Sequence, residues 1–187
     1  MLIHGKYIKA AALFAPKKDP RSYLKGLCFE VHSNHVILVA TDGHTLCAIK
    51  VGVDPKQESC GFIVGHDLLA SIDHKSDVEV VFANGEVKLK QSGREVSGKL
   101  IDGVYPGWRR IIPAQTSGEV AQFNHENILV ALKAKRMLHD NSKIQDLYIN
   151  HNGSDPAVVA MGMPDTLVLV SPFRSEEVVY NQPEFTK

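Results

Sequence analysis

Residues 24–51, Leu24-Lys25-Gly26-Leu27-Cys28-Phe29-Glu30-Val31-His32-Ser33-Asn34-His35-Val36-Ile37-Leu38-Val39-Ala40-Thr41-Asp42-Gly43-His44-Thr45-Leu46-Cys47-Ala48-Ile49-Lys50-Val51, read as three strands separated by two tight turns. The strands fall at Leu24 to His32, Val36 to Thr41 and Thr45 to Val51, with the turn formers Ser33-Asn34 and Asp42-Gly43 between them. Upstream, Lys6 to Ala15 carries Ile8, Ala11, Ala12 and Leu13 towards one side and stops at Pro16, which predicts a helix.

The same grammar, a short helix followed by two or three strands, returns twice downstream. In the second unit Gly61-Phe62-Ile63-Val64 is a short strand and His66 to Ile72 a short helix. Strands follow at Asp77 to Phe82, Glu86 to Lys90 and Arg94 to Ile101, with the hairpin signal Asn84-Gly85 inside them. Asp102 to Pro113 holds Gly103, Pro106, Gly107 and Pro113 and reads as a connector. The third unit offers Val120 to Phe123 as a strand, Asn124 as a helix cap and a helix to about His139. Leu147 to Asn150, Ala157 to Met161 and Thr166 to Ser171 supply its strands. Residues 175–187 show no periodicity and read as a flexible tail. Two units make a balanced pair, whereas the third is expected to stand alone with exposed sheet edges and to want a partner.

At 187 residues, with 44% hydrophobic and 22% charged, the chain suits one large domain or two small ones. No apolar run approaches the ~20 residues of a membrane span, and Met1-Leu2-Ile3-His4-Gly5-Lys6 turns polar too soon for a secretory signal, so a cytoplasmic protein is expected. Cys28, Cys47 and Cys60 lack CxxC spacing and read as reduced core residues. The net charge is zero, so any contact with nucleic acid has to come from local asymmetry.

Two stretches carry more than pattern. They are Leu24 to Glu30 leading to Ala40-Thr41-Asp42-Gly43-His44-Thr45-Leu46, and Gly98-Lys99-Leu100-Ile101-Asp102-Gly103-Val104-Tyr105-Pro106-Gly107-Trp108-Arg109-Arg110-Ile111-Ile112-Pro113. They closely resemble the middle domain of the bacterial DNA polymerase III beta subunit, the sliding-clamp family. Phe123-Asn124 through Leu169-Val170-Ser171-Pro172-Phe173-Arg174 is similar to the second half of that family's C-terminal domain. The resemblance implies an α+β fold of clamp type, built from βαβββ half-domains with helices lining a ring and sheets outside. It divides the chain into a complete domain at 1–113, a half-domain at 114–174 and the tail, a shortened form that lacks an N-terminal domain and half of the last one.

The resemblance also implies function, as a non-catalytic ring that encircles duplex DNA and tethers DNA polymerase and other proteins carrying a clamp-binding peptide. A channel around DNA needs positive charge that attracts phosphate without reading bases. Residues 5–18 carry Lys6, Lys9, Lys17 and Lys18 with no acid, and residues 124–139 carry Lys133, Lys135 and Arg136 against Glu126, so the rest of the chain is left at −6. Arg21, Ser22 and Tyr23 match a loop that touches DNA in the family, with Ser22 in place of an aromatic. Tyr23 either stacks on an exposed base or covers the sheet edge. For the peptide pocket, Leu24, Thr41, Gly43, His44, Leu46, Pro106, Arg110 and Ile111 form the first wall, and Leu169, Val170, Ser171, Pro172 and Phe173 the second. Thr45 stands where the family usually has Arg, and Ser171 where it usually has an apolar residue, so partner preference is expected to differ.

Other readings of single motifs are structural. Asp42-Gly43-His44 is a turn before it is an acid-base pair, since no nucleophile accompanies it. His32 and His35 lack a third ligand at metal spacing. Trp108 is read as an anchor for the connector. No metal and no cofactor are implied. If a ring needs twelve halves and this chain supplies three, four copies close it, and a tetramer is favoured over a trimer or dimer. A clamp loader is a candidate partner. The main competing function is a decoy that keeps the peptide pocket and regulates a full-length clamp without encircling DNA. Gln182-Pro183-Glu184-Phe185 loosely resembles a clamp-binding peptide that would occupy such a pocket.

Overall fold

The computed structural model describes residues 1–54 and 59–173, so Arg174, the tail and its Gln182-Pro183-Glu184-Phe185 segment lie outside the described residues. After a short first strand, β1 (Leu2–His4), residues 24–52 form three antiparallel strands, β2 (Gly26–Val31), β3 (His35–Thr41) and β4 (Thr45–Gly52). The first of the three begins two residues later than its apolar pattern, because Ser22–Leu24 closes a single 3-10 turn. Asp42 makes the β3–β4 turn. Its Oδ1 accepts hydrogen bonds from the backbone of His44 (2.8 Å) and Thr45 (2.6 Å) and from the Thr45 hydroxyl (3.0 Å), while Gly43 takes φ +93°.

Sequence pattern missed β1, which is three residues long and too short to show alternation. It feeds α1 (Gly5–Ala12), whose first free N–H, that of Lys6, is taken by the His4 ring. The helix is shorter than its apolar pattern, since Leu13, Phe14 and Ala15 bond three residues back and tighten the last turn ahead of Pro16. Then come β5 (Cys60–Gly65), α2 (His66–Ala70), β6 (Asp77–Ala83), β7 (Glu86–Gln91) and β8 (Arg94–Lys99). Asn84 and Gly85 both take positive φ, 51° and 77°, as the two-residue β6–β7 hairpin requires.

The first strand of each half belongs to the other half's sheet. β1 pairs with β6, completing the order β1-β6-β7-β8, and β5 pairs with β2. Gly26 lets β2 approach β5 closely, because a Cβ there would lie 2.5 Å from the Val64 carbonyl oxygen.

Residues 114–173 supply α3 (His125–Leu138), β9 (Tyr148–Asn150), β10 (Ala157–Ala160) and β11 (Thr166–Val170). They do not stand alone. β11 pairs antiparallel with β4, giving one seven-stranded sheet in the order β5-β2-β3-β4-β11-β10-β9, and α3 packs beside α1. Both faces of this sheet are apolar, as expected where each face is covered. Leu27, Phe29, Val168 and Val170 meet the helices on one face, while Cys28, Val39, Leu46 and Leu169 meet Trp108 of the connector on the other. Val120 to Phe123, expected as a strand, is not one. It makes isolated bonds only, Ala121 N–H to His151 Nδ1 (3.1 Å) and Phe173 N–H to the Gln122 carbonyl (2.6 Å), because no neighbouring strand among the described residues offers it a ladder.

Candidate functional site

Of the basic residues expected to face DNA, Lys6, Lys9, Lys133 and Arg136 lie on α1 and α3, which pack side by side, whereas Lys17 lies beside the start of α2 with Lys25 and His66. Lys17 and Lys18 follow α1 and are exposed, as is Lys133 on α3. Lys9 donates to the Leu69 carbonyl at 3.2 Å, and its pKa is lowered, first by burial and then by Lys133, with Asp73 acting in the opposite direction. Lys6 is tied to Asp140 at 2.7 Å, and the Arg136 Nε donates to the Ile144 carbonyl at 2.6 Å. His74, Lys75, Lys133, Arg136 and Asp140 line an open groove of about 420 Å³ beside α3. The arrangement can attract a polyanion through screened charge, with the exposed Lys133 the least engaged of the cations on α1 and α3.

Lys135 is a correction to the sequence reading. It is only 8% exposed, with its ammonium on the Asp146 carbonyl (3.2 Å) and carboxylate (3.5 Å), because its position faces the chain leading to β9. Arg21 is also engaged, its guanidinium holding both oxygens of Asp19 at 2.9 Å and keeping that carboxyl down at about 2. Tyr23 packs, half-buried, on the Trp108 side of the sheet near Gly103.

Seven of the thirteen residues expected for a peptide pocket lie together at the β4–β11 seam. Thr41, Gly43, His44, Leu46, Ile111, Leu169 and Ser171 line one cleft, together with Thr45 and with Pro156, which sequence reasoning missed. Pro156 sits in the β9–β10 hairpin, far in sequence from both motifs, so no local signal marks it. The seam is held by Ser171 N–H on the His44 carbonyl (2.7 Å) and by Thr45 paired with Val170. Six predicted residues do not line the cleft. Leu24 and Val170 are fully buried, Val170 on the helix-bearing face. Arg110 turns back on the Gly107 carbonyl at 3.3 Å, Phe173 is exposed, and Pro106 and Pro172 are half-buried.

The cleft is about 50 Å³, which is room for one or two waters at about 30 Å³ each. One wall is Ile111, 47% exposed at the end of the 3-10 turn Trp108–Ile111. That turn is anchored to β2 through Glu30, which accepts from Trp108 Nε1 (2.8 Å) and from Arg109 (2.6 Å). Burial opposes ionisation of Glu30, but the Arg109 and Trp108 hydrogen bonds outweigh it and hold its carboxyl below the ordinary range.

His32 and His35 stack ring on ring at 4.5 Å, and no group of three or more metal-ligating side chains occurs among the described residues. Nor is any described helix long and apolar enough to cross a membrane.

A fold of paired half-domains that exchange their first strands, with adjacent basic helices on one sheet, defines a clamp-type protein. The family model for the DNA polymerase III beta subunit, central domain, matches residues 4–107. The beta sliding clamp of Haemophilus influenzae is 26% identical over 140 residues, which is 71% of this chain and 37% of that protein. Among solved structures, DNA polymerase III subunit beta from Borrelia burgdorferi superposes with a TM-score of 0.75 at 16% identity, covering 93% of this chain and 64% of that one. The DNA polymerase sliding clamp from Pseudomonas aeruginosa gives 0.72 at 16%, covering 94% and 66%. The chain belongs to the DNA polymerase III beta subunit family, and it spans little more than a third of the length of the H. influenzae relative.

Proposed function

We propose that the chain is the protomer of a DNA sliding clamp, a non-catalytic ring around duplex DNA that tethers DNA polymerase and other proteins bearing a clamp-binding peptide. In this reading residues 1–113 form a complete clamp domain and residues 114–174 a half-domain. Four copies then supply the twelve halves of a ring, and a clamp loader is a candidate partner. The observation that carries the reading is the β4–β11 seam. It continues one sheet from the first domain into residues 114–173 and sets α1 and α3 side by side with Lys9 and Lys133 in each other's field. Closed rings hold DNA by topology, so interactions with phosphate need only be weak and salt-screened. The cleft at the same seam, with Leu46, Leu169 and Ile111 in its walls, is the proposed peptide site.

The test is retention on circular against linearised DNA, with a native mass measured alongside. Retention on the circle that is lost when the ends are free, in an assembly of four copies, is expected. A strict monomer, or equal retention on both DNAs, refutes the ring.

A further inference from the structure

Residues 119–124 lead into α3 as β5 leads into α2, and three features fix the equivalence. Asn124 caps α3 where Gly65 caps α2. Phe173 N–H donates to the Gln122 carbonyl at 2.6 Å where Ile101 N–H donates to the Ile63 carbonyl at 2.9 Å. His151 reaches Ala121 where Phe82 packs on Phe62, ring centroids 4.3 Å apart. The sheet order β9-β10-β11 likewise repeats β6-β7-β8, with Ile149 opposite Val159 as Val80 is opposite Leu89. In the first domain β5 lies on β2 through six residue pairs and β1 covers the outer edge of β6. Among the described residues, segment 119–124 has no strand beside it and β9 ends its sheet.

One unit thus carries both a segment outside any ladder, held by single bonds such as Gly153 N–H to the Glu119 carbonyl (2.9 Å), and an unpaired edge, and each is the complement of the other. We propose that two copies of this chain pair about a two-fold axis, each laying residues 119–124 along β9 of the other and so rebuilding a full clamp domain from two half-domains. Such an interface is isologous, each copy giving one segment and receiving one, and it covers the β9 edge while β8 remains an edge for the further contact that a four-copy ring needs. The β1–β6 ladder sets the register. It pairs the helix cap His4 with Asp77, then Ile3 with Val78 and Leu2 with Glu79. Transferred through the equivalences above, Asn124 lies opposite Asp146 of the partner copy, Phe123 opposite Leu147 and Gln122 opposite Tyr148.

Exposed apolar side chains mark the same surface. Val120 is 75% exposed, Tyr148 70% and Leu129 52%. Val120 and Tyr148 belong to the two edges that would meet. Leu129 lies five residues beyond its helix cap, as Lys9 does in α1, and Lys9 is the residue that leans onto α2 at the Leu69 carbonyl. Leu129 is therefore placed to meet the second α3 across the axis.

The test is cysteine cross-linking in a Cys60→Ser background, where the remaining thiols, Cys28 and Cys47, are buried. Opposed residues of an antiparallel pair lie at about 4.5–5.5 Å between Cα atoms, within disulfide reach. Chains carrying Gln122→Cys mixed with chains carrying Tyr148→Cys should give a disulfide-linked dimer on mild oxidation. Either chain alone should not, and a register-shifted mixture of Val120→Cys with Tyr148→Cys should lose the dimer. No dimer from the matched mixture, or a disulfide within one chain when both substitutions are combined, overturns the pairing. Hydrogen exchange on the unsubstituted protein guards against misfolded variants. Amides of 119–124 and 146–150 should gain protection as concentration rises, and exchange independent of concentration counts against the proposal. The pairing rests on the ring reading for its purpose, and a native mass separates the two failures. An oligomer without the cross-link removes this interface alone, while a monomer removes both.

Discussion

Leu46 on β4 and Leu169 on β11 face each other across the seam that joins residues 114–173 to the first domain, and they are 1% and 2% exposed. The same two side chains are packed with Trp108 and line the cleft, so the structural joint and the proposed docking site share their residues.

Leu169→Ala should therefore cost about 2–5 kcal/mol, the range for emptying a leucine site in a packed core. Thermal unfolding measures it, and hydrogen exchange should rise first in β11 and β10. A melting temperature unchanged from the parent would mean that the seam is not a stabilising joint.

Trp108 is the only tryptophan, so its fluorescence reports the connector directly. The Glu30 carboxyl is held below its unfolded value, so the docking it provides is full above that value and is lost as pH falls through the depressed one. Acid titration should shift Trp108 emission towards that of exposed indole before global unfolding. Glu30→Gln should remove this early step, and an identical titration in both proteins would contradict the assignment.

The basic residues separate into two kinds. Lys133→Ala and the pair Lys17→Ala with Lys18→Ala should weaken DNA binding equally for all sequences and reduce the salt slope by about 0.9 for each phosphate that is no longer neutralised. Lys135→Ala should instead lower the melting temperature, because it strips a buried cation from Asp146. Titrations at several salt concentrations, with a thermal melt of each variant, distinguish the two effects. A Lys135→Ala protein with unchanged stability and a reduced slope would reverse the assignment.

Gly26→Ala should destabilise the first domain by about 1–3 kcal/mol, the usual cost of overpacking. The added Cβ meets the Val64 carbonyl oxygen at 2.5 Å, and backbone yields less readily than a side chain. Chemical denaturation gives the value, and a neutral substitution would show that β2 and β5 are free to separate.

Local chemistry made much of this molecule legible without coordinates. Asp42-Gly43 and Asn84-Gly85 announce turns because few residues tolerate their backbone angles, and Asn124 announces a helix start because its side chain takes a free N–H. The two long motifs carried the family, and five of the residues they implied for the pocket line one cleft with Leu169 and Ser171 from the third stretch. All of these are signals between residues close in sequence, or motifs long enough to be specific.

What the chain determined alone was where most strands and helices form, though not β1 or the ends of α1, where the chain turns and which residues repel water. Only the tertiary structure decided which strand lies beside which: β1 on β6, β5 on β2 and β11 on β4, with 119–124 left over. It also decided that Lys135 is buried and that Pro156 closes the cleft. The physical reason is that an edge strand offers the same N–H and C=O groups to any partner. The choice among partners is made by long-range packing of the sheet faces, which no local pattern records.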